Sequence, residues 1–578
     1  MADNFDESFF ESSSGEDDLQ RSHDHEVPDA DDPYVASQRR ASRTRAIAAA
    51  GLVVFVALSG FFWMGQKQAA MDEFVALTEA LSLTGSYDDL REASKIASSA
   101  ASNDDLAPAV YYIQGLKADL ALWALYSGSQ SLSAKSLQML EAAEVRGPGE
   151  PITQFGRAFF ESLRGDPSQG LALLDGATAG GETPWHKVAR AEALLRSGDL
   201  PGARSALGGC DAGLCRSWSA RLSMTLGDWE AAKAVGDALV AMTPGHDLGR
   251  TTQILATARG LDPESRIERL QGYMEETDLP SLLLARVVVD LSRALRRAEG
   301  PKRADELLER ALESTPDATL LAREVARTKR FQGYFGAAWN RADKALRNQA
   351  DDSGLLTELA AAMYFNDAAE LLEGRLAPAR KRGTAGDGVR RAEAILALIR
   401  GLSDQAIEGL QATSHLGEPG DTELYLAEAF LIEKRYGDAA NAARKAYAAL
   451  SSTFGLTSRE AAIARMYEGV AVGMGGDPDA AQEILDSAYS KDVRTVWGAW
   501  LYGRYHESRE NNRAAKDAFL LACHNGQDFA KSCLALADVY DRLEMDDLMR
   551  RTQLKARKSY LRQSPKGWQA QRVQAALQ

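Results

Sequence analysis

Two stretches of this chain concentrate arginine at helical spacing. SLLLARVVVDLSRALRR carries Arg286, Arg293, Arg296 and Arg297, and TLLAREVARTKRF carries Arg323, Arg327 and Arg330. Residues three and four apart are neighbours on a helix, so positions 323, 327 and 330 share one face. Guanidiniums grouped in this way repel unless an anion compensates them, and their planar forks match carboxylate or phosphate. That chemistry is recognition of an acidic segment or of an anionic polymer. The other reading stays open, a solvated face paired by the nearby Asp290, Glu299 and Glu324. A second candidate is Trp497 with Trp500 and, one turn later, Arg504. Exposed Trp with Arg is the composition of an interaction anchor, although Trp in helical arrays more often packs between units.

Other chemistry finds no support. No GxxxxGK[ST], GxSxG, HExxH or dinucleotide glycine fingerprint occurs, so no catalytic residue is assigned and the chain reads as a non-enzyme. The seven histidines, at 23, 25, 186, 246, 415, 506 and 524, are scattered. Cys210, Cys215, Cys523 and Cys533 lack the two-residue spacing of zinc or redox motifs, and no metal or cofactor is expected. The cysteines are even in number and lie close in pairs, which suits an oxidising compartment.

The elements that carry these residues follow from patterning. The net charge of −15 divides unevenly: residues 1–36 hold twelve Asp/Glu and one Arg, or −11, leaving −4 for the rest. No overall basic footprint for nucleic acid exists. The acidic, Ser-rich segment 1–38 is too poor in aliphatic residues to fold alone and reads as a disordered tail. Residues 39–67 contain Arg39, Arg40, Arg43 and Arg45, then an uncharged run from Ala46 to Gln66 and Lys67. At about 1.5 Å per residue such a run spans the roughly 30 Å of bilayer hydrocarbon. The flanking arginines place the N-terminus in the cytoplasm and the bulk of the chain outside it. The expectation is a single-pass protein of a bacterial inner membrane, with the lipid bilayer as one partner and a periplasmic domain over 68–563. A tail over 564–578 closes the chain.

From about Met71 to Tyr560 the pattern is helical, interrupted by Gly, Asp, Asn or Pro every fifteen to twenty residues. Stretches such as SGDLPGARSAL, LGDWEAAKAVGDALVAMTP and GGDPDAAQEILDSAY share one layout, a turn followed by a helix with a small residue near its start. Those residues are Ala203, Ala232, Ala304, Ala338, Ala406, Ala439, Ala481 and Ala515, at spacings near 34 or twice that. Twelve residues before each stands Ala191, Ala220, Ser292, Ala326, Ala394, Ala427, Gly469 or Gly503. Small residues in this register let two antiparallel helices approach closely.

In these offsets, in the Gly-Asp turn and in Pro244 and Pro316 closing two units, the chain resembles the tetratricopeptide repeat family over roughly residues 85–560. The resemblance implies an all-α, right-handed α-solenoid of about ten to thirteen helix pairs. The stretch AFLLACHNGQDFAKSCLALADVY is similar to the Sel1-like, disulfide-stapled variety, with Ala537 in place of its usual glycine. That implies a Cys523–Cys533 bridge, and Cys210–Cys215 is the other candidate pair. In the family the first helix of each unit lines a concave face. On that mapping Arg286, Arg293, Arg296, Arg297, Arg323, Arg327 and Arg330 point into one groove, and Trp497, Trp500 and Arg504 follow further along. The implied role is a non-catalytic membrane-anchored scaffold or adaptor for protein partners. Its alternatives are a transmembrane signalling protein acting through the acidic tail, and a cell-envelope factor binding an anionic polymer.

Overall fold

The computed structural model describes residues 65–102, 107–177, 182–347, 352–366, 368–381, 387–413, 420–489, 495–526 and 529–563. The chain divides after Phe74 into two units. Of the first unit the described part is the start of the helix Gly65–Thr84. The second unit, from Val75 onward, carries everything that follows.

Among the described residues no helix is long and apolar enough to cross a membrane. The expected span at 46–66 is therefore corrected. Its residues 46–64 lie outside the described part, and Gly65 and Gln66 open a helix that runs on through Asp72, Glu73 and Glu79 to Thr84. Charges so placed are costly in hydrocarbon. The single-pass inner-membrane location, the periplasmic placement and the bilayer as a partner all rested on that span, and they are corrected with it. The segments 1–38 and 564–578 lie outside the described residues.

Among the described residues there are twenty-eight α-helices, and from Ala109 onward they pair in chain order, two to a repeat, into thirteen hairpins. This all-α helical-repeat solenoid includes the stretches 85–180, 245–280 and 350–390, where the sequence pattern is degenerate. The turn inside a unit has a local cause. Gly198 and Gly227 end the first helix in the left-handed conformation, and Asp199 and Asp228 then cap the second by accepting from the backbone of Gly202 and Ala231. Gly476 with Asp477 repeats the device, φ being +110° at the glycine. Lys434, Glu510 and Glu544 take the same left-handed place without a glycine, at φ of +58°, +57° and +56°.

The small residues in register are all buried. A Cβ on Gly503 would stand 2.5 Å from the ring of Phe519, and one on Gly469 would stand 2.6 Å from Cγ of Leu485. Helix hairpins close at these points because nothing larger fits. The buried apolar side chains form two cores, one running from Leu90 to Ala304 and the other from Ala285 to Ala556. The hairpin of Ser281–Ala298 and Pro301–Ser314 contributes to both. Units distant in sequence also meet: Phe331 stacks on Trp497 at 5.6 Å, and Arg296 is paired to Glu460 at 2.7 Å. Over this stretch the inner face is filled by the chain's own side chains.

Candidate functional site

The seven arginines lie on the helices Ser281–Ala298 and Thr319–Phe331. Four of the seven are compensated from within. Arg293 donates to both oxygens of Glu324, at 3.3 and 2.9 Å. Arg296 reaches Glu460 at 2.7 Å, Asp305 at 2.8 Å and the hydroxyl of Thr328 at 2.9 Å. Arg327 meets Asp421 in a fork at 3.0 Å on each arm. Arg330 donates to Glu358 at 3.1 and 3.4 Å and to Asp421 at 2.8 Å. Of the nearby acids, Glu324 does pair with this row, whereas Asp290 is held by Arg259 and Arg266, and Glu299 by Arg303.

Arg327 and Arg330 are among the largest fully buried side chains of the molecule. Burial opposes the charge on Arg330, but Glu358, Tyr425 and Asp421 outweigh it and hold the guanidinium above its usual range. Burial raises the carboxyl of Glu358 despite the pull of Arg330. The repulsion that called for an external anion is thus answered at positions 293, 296, 327 and 330.

The other three arginines differ. Arg297 is exposed and donates to the carbonyl of Ser452 at 3.2 Å. Arg323 lies against Gly354, where a Cβ would come within 2.9 Å of its Nη1. Arg286 makes no hydrogen bond or ion pair among the described residues. Burial, and then the charges of Arg221 and Arg323, lower its pKa to about 10.

Trp497 and Trp500 are buried inside an aromatic cluster. Trp497 lies 4.7 Å from the ring of Phe365 and donates from Nε1 to the hydroxyl of Tyr467 at 3.3 Å. Trp500 packs on Phe529 at 5.6 Å, with Arg504 over its other face at 4.7 Å. Arg504 is spent on Glu428, at 2.9 and 2.7 Å, and the same carboxylate accepts from Tyr364 at 2.7 Å. These groups occupy the space between units.

A cleft of about 140 Å³ opens where the ends of Ser281–Ala298 and Thr319–Phe331 approach the loop before Arg459–Met474. Arg296, Arg297, Asp305, Phe454, Arg459 and Glu460 are among its lining residues. Arg459 has no ion pair or hydrogen bond among the described residues. Sequence reading missed Arg221, Arg459 and the partners Glu358, Asp421 and Glu460. The charge of each was visible, but only folding brings residues 28 to 164 positions apart together. Among the described residues no group of three His, Cys, Asp or Glu could hold a metal. The cysteines form the disulfides Cys210–Cys215 and Cys523–Cys533, with Cα atoms 6.0 and 4.8 Å apart.

These features define an all-α protein of helical-hairpin repeats, with buried arginine–carboxylate pairs and a cleft of side-chain size. No protein-family model matches the chain, and no curated protein does. Among solved structures it is similar to the Cut9–Hcn1 hetero-tetramer of the APC/C, at 15% identity and a TM-score of 0.38, over 81% of this chain and 96% of that one. It is also similar to pilF of Pseudomonas aeruginosa, at 16% identity and a TM-score of 0.24, over 40% of this chain and 99% of that one. Neither likeness is close enough to transfer a role.

Proposed function

We propose that the chain is a non-catalytic scaffold that holds partner proteins through the inner surface of its helix pairs. The cleft beside Arg296 is the observation that supports this most directly. At about 140 Å³ it falls below the 300–1,000 Å³ of ordinary small-molecule sites and suits one inserted side chain. Phe331 and Phe454 supply apolar wall, and Arg297 and Arg459 offer charge to an acidic end. Leu456, 72% exposed, stands in the loop beside it as a contact for a partner surface. Of the arginines assigned to partner binding, Arg286, Arg297 and Arg323 keep access to solvent. The buried Arg296, Arg327, Arg330, Trp497 and Trp500, with the half-buried and carboxylate-paired Arg293 and Arg504, would then shape the surface from beneath.

The test is crosslinking capture with the full chain and with a variant carrying Arg297→Glu and Arg459→Glu. A partner captured by the unmutated chain and lost from the variant supports the scaffold and its cleft. Equal recovery from both removes the cleft from the binding surface.

A further inference from the structure

The cleft beside Arg296 is a seam between segments far apart in the chain. One wall comes from residues 296–332 and the other from residues 454–460. Arg296 with Glu460, and Arg297 with the carbonyl of Ser452, join positions 164 and 155 apart across it. Three guanidiniums and two carboxylates line the cleft, an excess of one positive charge. Both carboxylates are already engaged. Glu460 accepts from Nη1 of Arg296 at 2.7 Å, and Asp305 accepts from Nη2 of Arg296 at 2.8 Å and from Gln332 at 2.6 Å. Arg296 also donates to Thr328, and its buried Nε is still without a partner. Arg297 stands exposed at the rim, bonded to a carbonyl and to no acid. Half-buried Arg459 acts on Asp305 through space, with no hydrogen bond or ion pair among the described residues. The backbone adds to the same sign. Gly300 and Pro301 line the cleft at the start of Pro301–Ser314, and Gly300, at φ of +91°, supplies no side chain to cap that helix. Among the described residues no hydrogen bond reaches the N–H groups of Lys302, Arg303 or Ala304. Uncapped amides at a helix start carry partial positive charge.

A surplus cation in a partly shielded cleft stabilises one negative charge, through charge-assisted hydrogen bonds that solvent weakens less than at an open surface. Phe331 and Phe454, both buried, give the same space an apolar wall. The volume of about 140 Å³ limits the occupant to one side chain. We infer that the cleft is a carboxylate subsite that receives one glutamate side chain of a partner protein. The carboxylate lies between Arg297, Arg459 and the start of Pro301–Ser314, and the methylenes lie on Phe331 and Phe454. One carboxylate balances the one excess charge, whereas a phosphate would overshoot it and make no use of the apolar wall. Because Arg297 and Arg459 stand on opposite walls, the inserted glutamate also ties the two segments together. The inference rests on the scaffold reading and names the chemistry of its partner.

The experiment uses the full chain and the peptide acetyl-Gly-Leu-Glu-Leu-Gly-amide beside its Gln counterpart, with affinities from saturation-transfer NMR titrations. Arg459→Gln removes a free cation and breaks no bond, and Lys233→Gln, on an exposed pair with Asp237, is the control. The subsite is supported if the Glu peptide binds about tenfold more tightly than the Gln peptide, Arg459→Gln abolishes that preference and Lys233→Gln keeps it. Equal binding of the two peptides, or a preference that survives Arg459→Gln, overturns it. If Arg459→Gln melts at a lower temperature, Arg297→Gln at the rim takes its place under the same criteria. Butyrate that binds as tightly as the Glu peptide overturns the partner-protein source in favour of a free carboxylic acid. Inorganic phosphate that displaces the peptide at lower concentration than butyrate overturns the carboxylate assignment. Undiminished partner capture by the Arg459→Gln chain overturns the subsite as the point of contact and leaves the scaffold reading standing. A Glu preference that depends on Arg459, in a chain that captures no partner, supports the subsite and removes the scaffold.

Discussion

Arg327 and Asp421 stand 94 positions apart in sequence and meet fork to fork, Nε and Nη2 each donating at 3.0 Å to one carboxylate oxygen. Arg330 shares the same carboxylate at 2.8 Å. One aspartate at the start of Asp421–Ile432 thus bridges two buried cations from a helix three units earlier, and Glu358 supplies the second negative charge. Buried pairs of this kind add little net stability relative to apolar replacements, but they penalise any arrangement that leaves a partner alone. They serve to fix which units meet.

Removing Asp421 alone should therefore be expensive. Asp421→Ala leaves Arg327 without its carboxylate and Arg330 with Glu358 only, and the expected loss is about 3–5 kcal/mol. Arg327→Met together with Asp421→Ala should cost less than Asp421→Ala by itself. Urea unfolding followed by tryptophan emission reads this, since Trp497 lies against Phe331 on the same helix. If the double variant is weaker than Asp421→Ala, the fork is not the interaction that matters.

The acid side of the stability curve depends on two neighbours with opposite signs. His246 caps its helix by accepting from the backbone of Gly249, and burial lowers its pKa to about 4. The unfolded chain takes that proton near pH 6.5, so the contribution of His246 is complete above 6.5 and is lost as pH falls to 4, at most about 3 kcal/mol. Asp247 is raised to about 6 by burial and by Asp88. Its folded carboxyl protonates before the unfolded one, so stability increases as pH falls from 6 toward 3.8, by about 1–2 kcal/mol after allowance for its exposure. In the unmutated chain the two largely offset. His246→Asn keeps a capping oxygen and should make the chain relatively more acid-resistant between pH 6.5 and 4, and Asp247→Asn should make it less so. Melting curves across that range decide it, and parallel pH profiles for all three chains would remove both assignments.

How much was legible follows from how local each signal is. A small residue twelve positions before another, or a Gly-Asp turn, is read within one hairpin, and Ala191 with Ala203 or Gly503 with Ala515 are packed as that spacing requires. Arg286 and Arg293 look alike in sequence, both arginines on one predicted face. They part company because Glu324 comes from the next unit to meet Arg293, whereas among the described residues no hydrogen-bond or ion-pair partner reaches Arg286. The burial of Trp497 depends on Phe331, Phe365 and Tyr467, contributed by three other units, and no short window contains that information. The apolar run at 46–66 misled in the opposite way, because span length and flanking charge are local signals that no helix of the described residues supports.

The two disulfides close short loops, with sequence separations of 10 and 5. The chain-entropy estimate gives about 3 kcal/mol for Cys523–Cys533 and about 2 kcal/mol for Cys210–Cys215. Cys523→Ser should therefore lower the melting temperature more than Cys210→Ser, and reductant should add nothing further at the mutated pair. Peptide mapping without reductant is expected to recover both bridges. Alkylation of all four thiols in the denatured, unreduced chain would contradict the pairing.

The turn inside each unit offers a gain rather than a loss. Gly198, Gly227 and Gly476 end their first helices at φ of +90°, +72° and +110°, and Glu510 does the same work at +57° with a side chain attached. An L-residue in the left-handed region costs about 1–2 kcal/mol relative to glycine, offset in part by the extra freedom glycine gives the unfolded chain. Glu510 is exposed, and the capping bond from Ala514 to Asn511 does not involve its side chain. Glu510→Gly should therefore stabilise the hairpin of Val496–Ser508 and Asn512–Asn525 by about 0.5–1 kcal/mol, and Gly198→Ala should destabilise its own hairpin by a similar amount. Urea midpoints for the two variants test the pair together. A loss on Glu510→Gly would mean that the glutamate side chain contributes more than its backbone conformation costs.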